Sequence, residues 1–426
     1  MRADRYGIKG VFANVFILIN LVMIGQLFGI LTLDRLDTIT QIGYTVCLVT
    51  FIAFYFFLGI RQRNVSMLAL IIFPILMIPL ISSFQAHQIS GQSYLFGFLA
   101  ERSKYYAIAG ILLVFSLEKS WITIEQIEKN FVRLALVLFA IILFFNFFID
   151  PSKLTDTNLV QESMSRGYRY KINSTFTVML FFYALFQLVN DKKRVYAFLL
   201  VALIFYILAF ARSRSLFVAI TVTAVIYFQR NQSLSSRIVY LIWAGVAGVA
   251  VLTVMQLIYP DVMGRNIELF VSGLNVFLGG EIIDASAGAR LKEAAIAWEG
   301  IQKHYLLGNG FLSSQWEDGF SGVHRYFHAS DIGLLGNVFL YGLVGTAFIY
   351  VPFVAAFRYR KHLRKNYDTF LLTCQYTMLY LFIHMFTAGI SIKKIGVIIF
   401  VFSLIYYYRY LHPEVKDEKN PETDNS

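Results

Sequence analysis

The sequence predicts an all-α polytopic membrane protein with about twelve transmembrane helices and one long outer loop between the ninth and the tenth. Three observations predict it. Of the 426 residues, 58% are hydrophobic and 15% are charged, whereas soluble chains carry about 25% charged residues. Apolar runs long enough to cross a hydrocarbon core of about 30 Å recur along the whole chain. The runs are continuous rather than alternating, which excludes a membrane β-barrel.

The expected spans are 11–33, 41–60, 65–83, 104–118, 131–149, 173–189, 195–211, 215–229, 238–258, 331–353, 370–389 and 395–411. The first run is too long for a signal-peptide core and reads as a retained helix. Residues 1–258 thus hold nine spans, 259–330 an outer loop with an amphipathic helix, and 331–411 the last three spans. The polar tail, 412–426, is expected to be disordered and cytoplasmic. Cys47 and Cys374 both fall inside apolar runs, so neither a disulfide nor a cysteine metal site is expected.

Basic residues set the orientation, because cytoplasmic connections carry the excess of Lys and Arg. Arg2, Arg5, Lys9, Arg61, Arg63, the Lys192–Arg194 run, Arg230, Arg237 and the Arg358–Lys365 stretch all fall on one side, with both termini. The net charge of +11 therefore points to topology and anionic lipid, not to nucleic acid. The opposite side still keeps many cations, including Arg102, Lys104, Arg166, Arg169, Lys171, Arg212, Arg214, Arg290, Lys393 and Lys394. Outward basic residues beside a membrane suggest an anionic ligand. Glu101, Arg102 and Lys104 are expected at the interface.

Four stretches could carry chemistry. Arg212 and Arg214 in AFARSRSLFVAI sit in a nearly loopless turn between apolar runs. An arginine at the bilayer centre costs roughly 2.5–3.5 kcal/mol. The pair reads either as a phosphate clamp, since guanidinium forks bind phosphate bidentately, or as arginines snorkelling to the interface. In ARLKEAAIAWEGIQKH, Leu291, Ala294, Ala295, Trp298 and Ile301 recur at helical spacing, with Arg290, Lys292 and Glu293 off the stripe. Such a helix can lie along the membrane surface, and Gly308 and Gly310 behind it make a sharp turn.

The third stretch, HASDIGLLGNVFLYGLVG, places His328 before the tenth span with Asp331 three residues on. The imidazole can serve as a general base with Asp331 holding its tautomer, or it is a solvated histidine at a helix start. In the fourth, SRGYRYKINS, Arg166, Arg169 and Lys171 alternate with Tyr168 and Tyr170. That alternation suits contact with sugar and phosphate, and suits an aromatic belt equally well. His304, His324 and His328 raise a competing metal site, but no convincing further ligands join them. No Asp-x-Asp pair occurs, so no metal and no cofactor are expected.

In this order, the pieces resemble the bacterial O-antigen ligase and polysaccharide polymerase superfamily of the Wzy and WaaL type. SRSLFVAI resembles the family's Ser-Arg before an apolar helix, at Arg214. SAGARLKEAAIAWEGIQKHYLLGNGF resembles its loop arginine, tryptophan and Gly-x-Gly turn, at Arg290, Trp298, Gly308 and Gly310. HASDIGLLGNVFLYGLVG resembles its histidine stretch, at His328, and SRGYRYKINS is more loosely similar to a basic segment before a helix. Tyr305 replaces a common proline, Ala329 replaces an asparagine, and Asp331 lies outside the pattern.

The resemblance implies a metal-independent glycosyltransferase that uses a polyprenyl (undecaprenyl) diphosphate-linked oligosaccharide on the outer face of the inner membrane. It implies polymerisation of O-antigen, capsule or exopolysaccharide repeat units, with a chain-length regulator and a flippase as partners. Arg214 and Arg290 would hold the diphosphate and His328 would take the acceptor proton. The alternatives are a ligase joining glycan to lipid A-core, a flippase of the same lipid, and a non-catalytic envelope subunit.

Overall fold

The computed structural model describes residues 3–27, 30, 37–57, 63–154, 160–161, 169–170, 174–211, 213–258, 260, 264, 271, 285–323, 327–363 and 368–411. The first part of the chain forms α1 (Ala3–Ile24), α2 (Asp37–Phe57), α3 (Arg63–Ser90), α4 (Tyr94–Ala100), a 3-10 turn (Arg102–Tyr106), α5 (Ala107–Glu118) and α6 (Ile124–Phe148). A two-residue antiparallel ladder follows, pairing β1 (Val160–Gln161) with β2 (Arg169–Tyr170). Next come α7 (Thr175–Val189), α8 (Val195–Tyr206), a π turn (Ile207–Ala211), α9 (Arg214–Asn231) and α10 (Leu234–Ile258). The last part holds α11 (Ala285–Lys303), the one-turn α12 (Phe320–Val323), a 3-10 turn (Ala329–Asp331), α13 (Gly333–His362), α14 (Thr369–Thr387) and α15 (Ile390–Tyr410).

The protein is helical, as expected. Among the described residues, six helices are long and apolar enough to cross a membrane: Thr38–Phe56, Val65–Ser90, Ile124–Phe148, Leu234–Val254, Gly333–Arg360 and Thr369–Thr387. Gly10–Ile24, Thr175–Val189 and Val195–Ala211 are apolar but shorter. The stretch expected as the fourth span begins in the 3-10 turn and continues directly as the 12-residue α5. Most of the outer loop from 259 to 284, and the tail from 412, lie outside the described residues.

The core runs along α15. Ile395 and Val397 to Ile405 are buried on every side, and a helix that is apolar all round belongs inside. It packs against α14, α13 and α5. At the α5 contact Gly110 faces Ser403 closely enough that a Cβ would clash, the close approach that small residues allow between membrane helices.

α13 is broken at Gly342, whose φ and ψ are 63° and −170°. The break frees the carbonyls of Phe339 and Leu340 and the amides of Leu343 and Val344 from their helical partners. The chain after α11 takes up all four. Leu343 N–H donates to Tyr305 O at 2.9 Å and Val344 N–H to Leu306 O at 3.2 Å. In return Asn309 N–H donates to Phe339 O at 2.8 Å and Gly310 N–H to Leu340 O at 2.9 Å. Asn309 Nδ2 adds a second bond to Phe339 O at 3.0 Å.

The Gly-x-Gly turn thus has a structural reason. Gly308, Gly310 and Gly342 have φ of 77°, 76° and 63°, and a Cβ at any of them would run into main-chain atoms of another segment. Beyond the turn, Phe311 N–H donates to Ser82 Oγ at 2.9 Å, and Gln92 bonds both Phe311 O and Ser313 N–H.

Beside the break lies a buried ion pair. Glu101 and Lys104, expected at the interface, are each 1% exposed and 3.1 Å apart. Tyr341 Oη donates to Glu101 Oε1 at 2.6 Å and accepts from Lys104 Nζ at 2.9 Å. Opposite charges can enter the interior when they neutralise and hydrogen-bond each other, which charge counting along a sequence does not foresee. Arg102 stays half-buried and donates to Gln41 Oε1 and Leu99 O.

Three results are expected in detergent. Gly308→Ala, which is both left-handed and blocked by backbone, lowers the melting temperature sharply or abolishes folding. Gly43→Ala, in an open position of α2, raises stability by about 0.5–1 kcal/mol. Lys104→Met strands a buried carboxylate and costs about 3–5 kcal/mol, most of which the added Glu101→Gln restores.

Candidate functional site

The site assembles where helix ends meet. The π turn lies at the end of α8, and α9 starts at Arg214 behind Ser213. Single π turns inside helices are frequent at functional sites. Ser213, extended at φ −115°, precedes the helix, and its Oγ lies 3.2 Å from Ser215 Oγ. Ser215 Oγ in turn lies 3.3 Å from His384 Nε2, and His384 Nδ1 lies 3.0 Å from Tyr380 Oη. His384 is a buried histidine in the last turn of α14. The start of α9 is therefore fixed to the end of α14.

The same end of α14 meets the start of α13. Gly389 N–H donates to Ser330 O at 2.8 Å. Gly333 has φ 55°, and a Cβ there would run into the Phe386 carbonyl. These contacts bring the 3-10 turn holding His328 and Asp331 to the helix ends that hold Arg214 and His384. His328 is exposed. Asp331 meets it through the main chain, its N–H donating to His328 O at 2.9 Å, while its carboxylate accepts from Ser330 Oγ at 3.3 Å.

α11 is seated on α13 by a face that shares only part of the apolar stripe. Leu291 and Trp298 are each 56% exposed, while Ala297, Ile301 and Glu293 are buried. A Cβ at Gly300 would strike the Phe339 ring, so the small residues Ala297 and Gly300 select the docking face by allowing close approach. Glu293, off the expected stripe, lies on the docked face at 5% exposure and accepts the His328 main-chain N–H through Oε1 at 3.1 Å. Arg290 is exposed one turn earlier on α11.

Burial, and then the charge of Asp331, push the Glu293 carboxyl up to about 7, against the opposing pulls of the His328 N–H and Arg290. The folded protein thus holds this proton more tightly than the unfolded chain. Its contribution to stability is greatest below the ordinary glutamate value of about 4.3. It declines as pH rises and is gone above about 7.

Of the residues singled out in the sequence, Arg290, His328 and Asp331 share one cluster, and α14 links that cluster to Arg214. Gly308 and Gly310 are buried in the α13 splice, and Trp298 faces outward. Arg212, Arg166, Tyr168 and Lys171 lie outside the described residues, and Arg169 is described only through its main-chain pairing with Gln161. His324 also lies outside them. Among the described residues, no group of three or more His, Cys, Asp or Glu side chains could hold a metal ion. Sequence reasoning missed Glu293, Ser215 and His384. His384 carried a usable signal, since an ionisable residue inside an apolar run marks a functional candidate. No protein-family model matches the chain, and no curated protein matches it closely enough to count as a relative.

The Glu293 environment sets an expected outcome. Melting curves of Glu293→Gln, which keeps an acceptor oxygen for His328, should lie above those of the native chain near pH 8. The gap should close towards about pH 4.5. A gap independent of pH would remove the carboxyl from the account.

Proposed function

We propose that the chain is a membrane glycosyltransferase that polymerises polyprenyl diphosphate-linked oligosaccharide repeat units. The work is done on the outer face of a bacterial inner membrane. The observation that carries the proposal is the meeting of Arg214 with the His328–Asp331 turn at one end of the helices, through the Ser215–His384 and Ser330–Gly389 contacts. The twelve-span arrangement, with both termini cytoplasmic and residues 259–330 outside, belongs to this proposal. The six long helices and three shorter apolar ones support it.

The chemistry follows from the residue types. Arg214 and Arg290 remain charged at any physiological pH and present forks that fit phosphate oxygens. They stabilise the charge that grows on the leaving diphosphate. The acceptor hydroxyl oxygen bonds to the anomeric carbon as the bond from that carbon to the diphosphate oxygen breaks. The hydroxyl proton passes to His328, and the polyprenyl diphosphate departs with the electron pair. No nucleotide is consumed, because the free energy resides in the diphosphate ester.

The test is complementation of a strain lacking this gene, with surface glycan resolved on a gel. Arg214→Ala and Arg290→Ala are each expected to slow chain growth about 10²–10³-fold, and His328→Ala about 10²–10⁴-fold. The repeat-unit ladder should collapse while single capped units remain. Loss of all glycan from lipid A-core would instead indicate a ligase. Repeats trapped at the cytoplasmic face would indicate a flippase. Full ladders from all three variants would reject catalysis by these residues.

A further inference from the structure

A second cluster of rings and hydrogen-bond acceptors lies at the corner between α3 and α4, and the diphosphate chemistry does not use it. Its hub is Gln92, which is fully buried. The Gln92 carbonyl meets His87 Nδ1 at 2.9 Å, and its side chain bonds Phe311 O and Ser313 N–H. A carbonyl only accepts, so His87 Nδ1 carries the proton and the neutral ring keeps Nε2 as an acceptor. Nε2 makes no hydrogen bond among the described residues and is not enclosed. The imidazole is also stacked on the exposed Tyr94 ring, with centroids 4.2 Å apart.

The segment held by Gln92 also carries Trp316. The Trp316 main-chain N–H donates to Ser313 O at 2.9 Å, and its ring lies 5.9 Å from Phe96 on α4. The indole N–H is enclosed and has no hydrogen bond among the described residues, yet Trp316 is only half-buried. What it shows outside is therefore ring carbon. The chain then turns left-handed, with φ of 45° at Glu317, 58° at Asp318 and 61° at Gly319. Both acids are exposed, and neither joins an ion pair among the described residues. No lysine or arginine occurs in 82–98 or in 311–319. The corner thus offers aromatic faces and acceptors without a cation. Phe311, Phe320 and Phe327 join it to the His328 turn, with successive ring centroids 6.4 and 5.5 Å apart.

We propose that His87, Tyr94, Trp316 and the Glu317–Asp318 turn form a binding site for uncharged sugars of the glycan, separate from the diphosphate. The identity of the ligand rests on the function proposed above. A sugar ring sets its apolar C–H face against Trp316 and Tyr94, whose rings supply a large contact area. Its hydroxyls donate to His87 Nε2 and to the two carboxylates. The site selects by this chemistry. A ligand rich in hydroxyl donors fits it, whereas a phosphate or uronate group meets acceptors and carboxylates with no cation to balance it.

The test is calorimetric titration of the full chain in phosphatidylcholine nanodiscs. The probe is the repeat-unit oligosaccharide, released free of phosphate by mild acid from the surface glycan of the strain that carries this gene. In His87→Asn the amide nitrogen takes the place of Nδ1 and keeps the Gln92 bond, while nothing replaces Nε2. This variant is expected to melt close to the native chain and to raise Kd about tenfold, the loss of one hydrogen bond. Tyr94→Ala, at an exposed ring, should raise Kd by a similar factor. Arg214→Ala should bind this phosphate-free probe as the native chain does. Unchanged Kd in both His87→Asn and Tyr94→Ala would overturn the site, as would a loss of binding confined to Arg214→Ala. Failure of the native chain to bind the probe would also overturn it, while the ladders of the Arg214→Ala, Arg290→Ala and His328→Ala strains still decide the function separately. If His87→Asn does not fold, Tyr94→Ala decides, and native binding in that variant overturns the proposal.

Discussion

The arrangement depends on one constraint: a helix broken inside an apolar bundle must have its freed main-chain groups satisfied. Water is scarce there, and each unmet group costs several kcal/mol. In α13 the break at Gly342 frees two carbonyls and two amides, and residues 305–310 meet all four. Because α11 ends just before this segment, the splice also fixes where α11 lies. Close contact of Gly300 with Phe339, and the Glu293 bond to His328, then carry that placement to the start of α13. A structural repair thus positions α11 over the candidate site.

Charge is distributed by the same economy. Glu101 and Lys104 are buried as a mutually neutralising pair with Tyr341, next to the break. At the other end of this half-helix the ionisable groups do not pair so simply. His328 and Arg290 are exposed, Glu293 is buried against a main-chain amide, and the His384 ring meets the Ser215 and Tyr380 hydroxyls. The first arrangement stabilises a fold, whereas the second leaves charged and proton-carrying groups at the mouth of the helices. The proposed anionic substrate chemistry belongs with the second.

Much of this was legible in the sequence. Helical class followed from continuous apolar runs, and Gly308, Gly310, Arg214 and His328 stood out through residue type and spacing. The splice was not legible, because Gly342 reads as one more glycine in an apolar span and its partners lie over thirty residues away. The face by which α11 meets α13 was not legible for a related reason. Apolar content marks Leu291 and Trp298, but the closeness of α13 favours the small residues Ala297 and Gly300 at the contact and leaves those larger side chains exposed. Glu293 and the Glu101–Lys104 pair were hidden because burial of charge depends on partners distant in sequence. Arg166, Tyr168, Lys171 and Arg212 fall outside the described residues and add nothing to this comparison.

The central claim is that the spliced outer segment and the α9, α14 and α15 ends form one site for a lipid diphosphate. The most direct measurement is a cryo-electron microscopy structure of the full chain in nanodiscs with polyprenyl diphosphate bound. The account predicts phosphate density in contact with Arg214, beside the Ser213–Ser215 turn and below His328. Phosphate density at the opposite end of the helices, or a lipid bound with Arg214 turned away from it, would contradict the account.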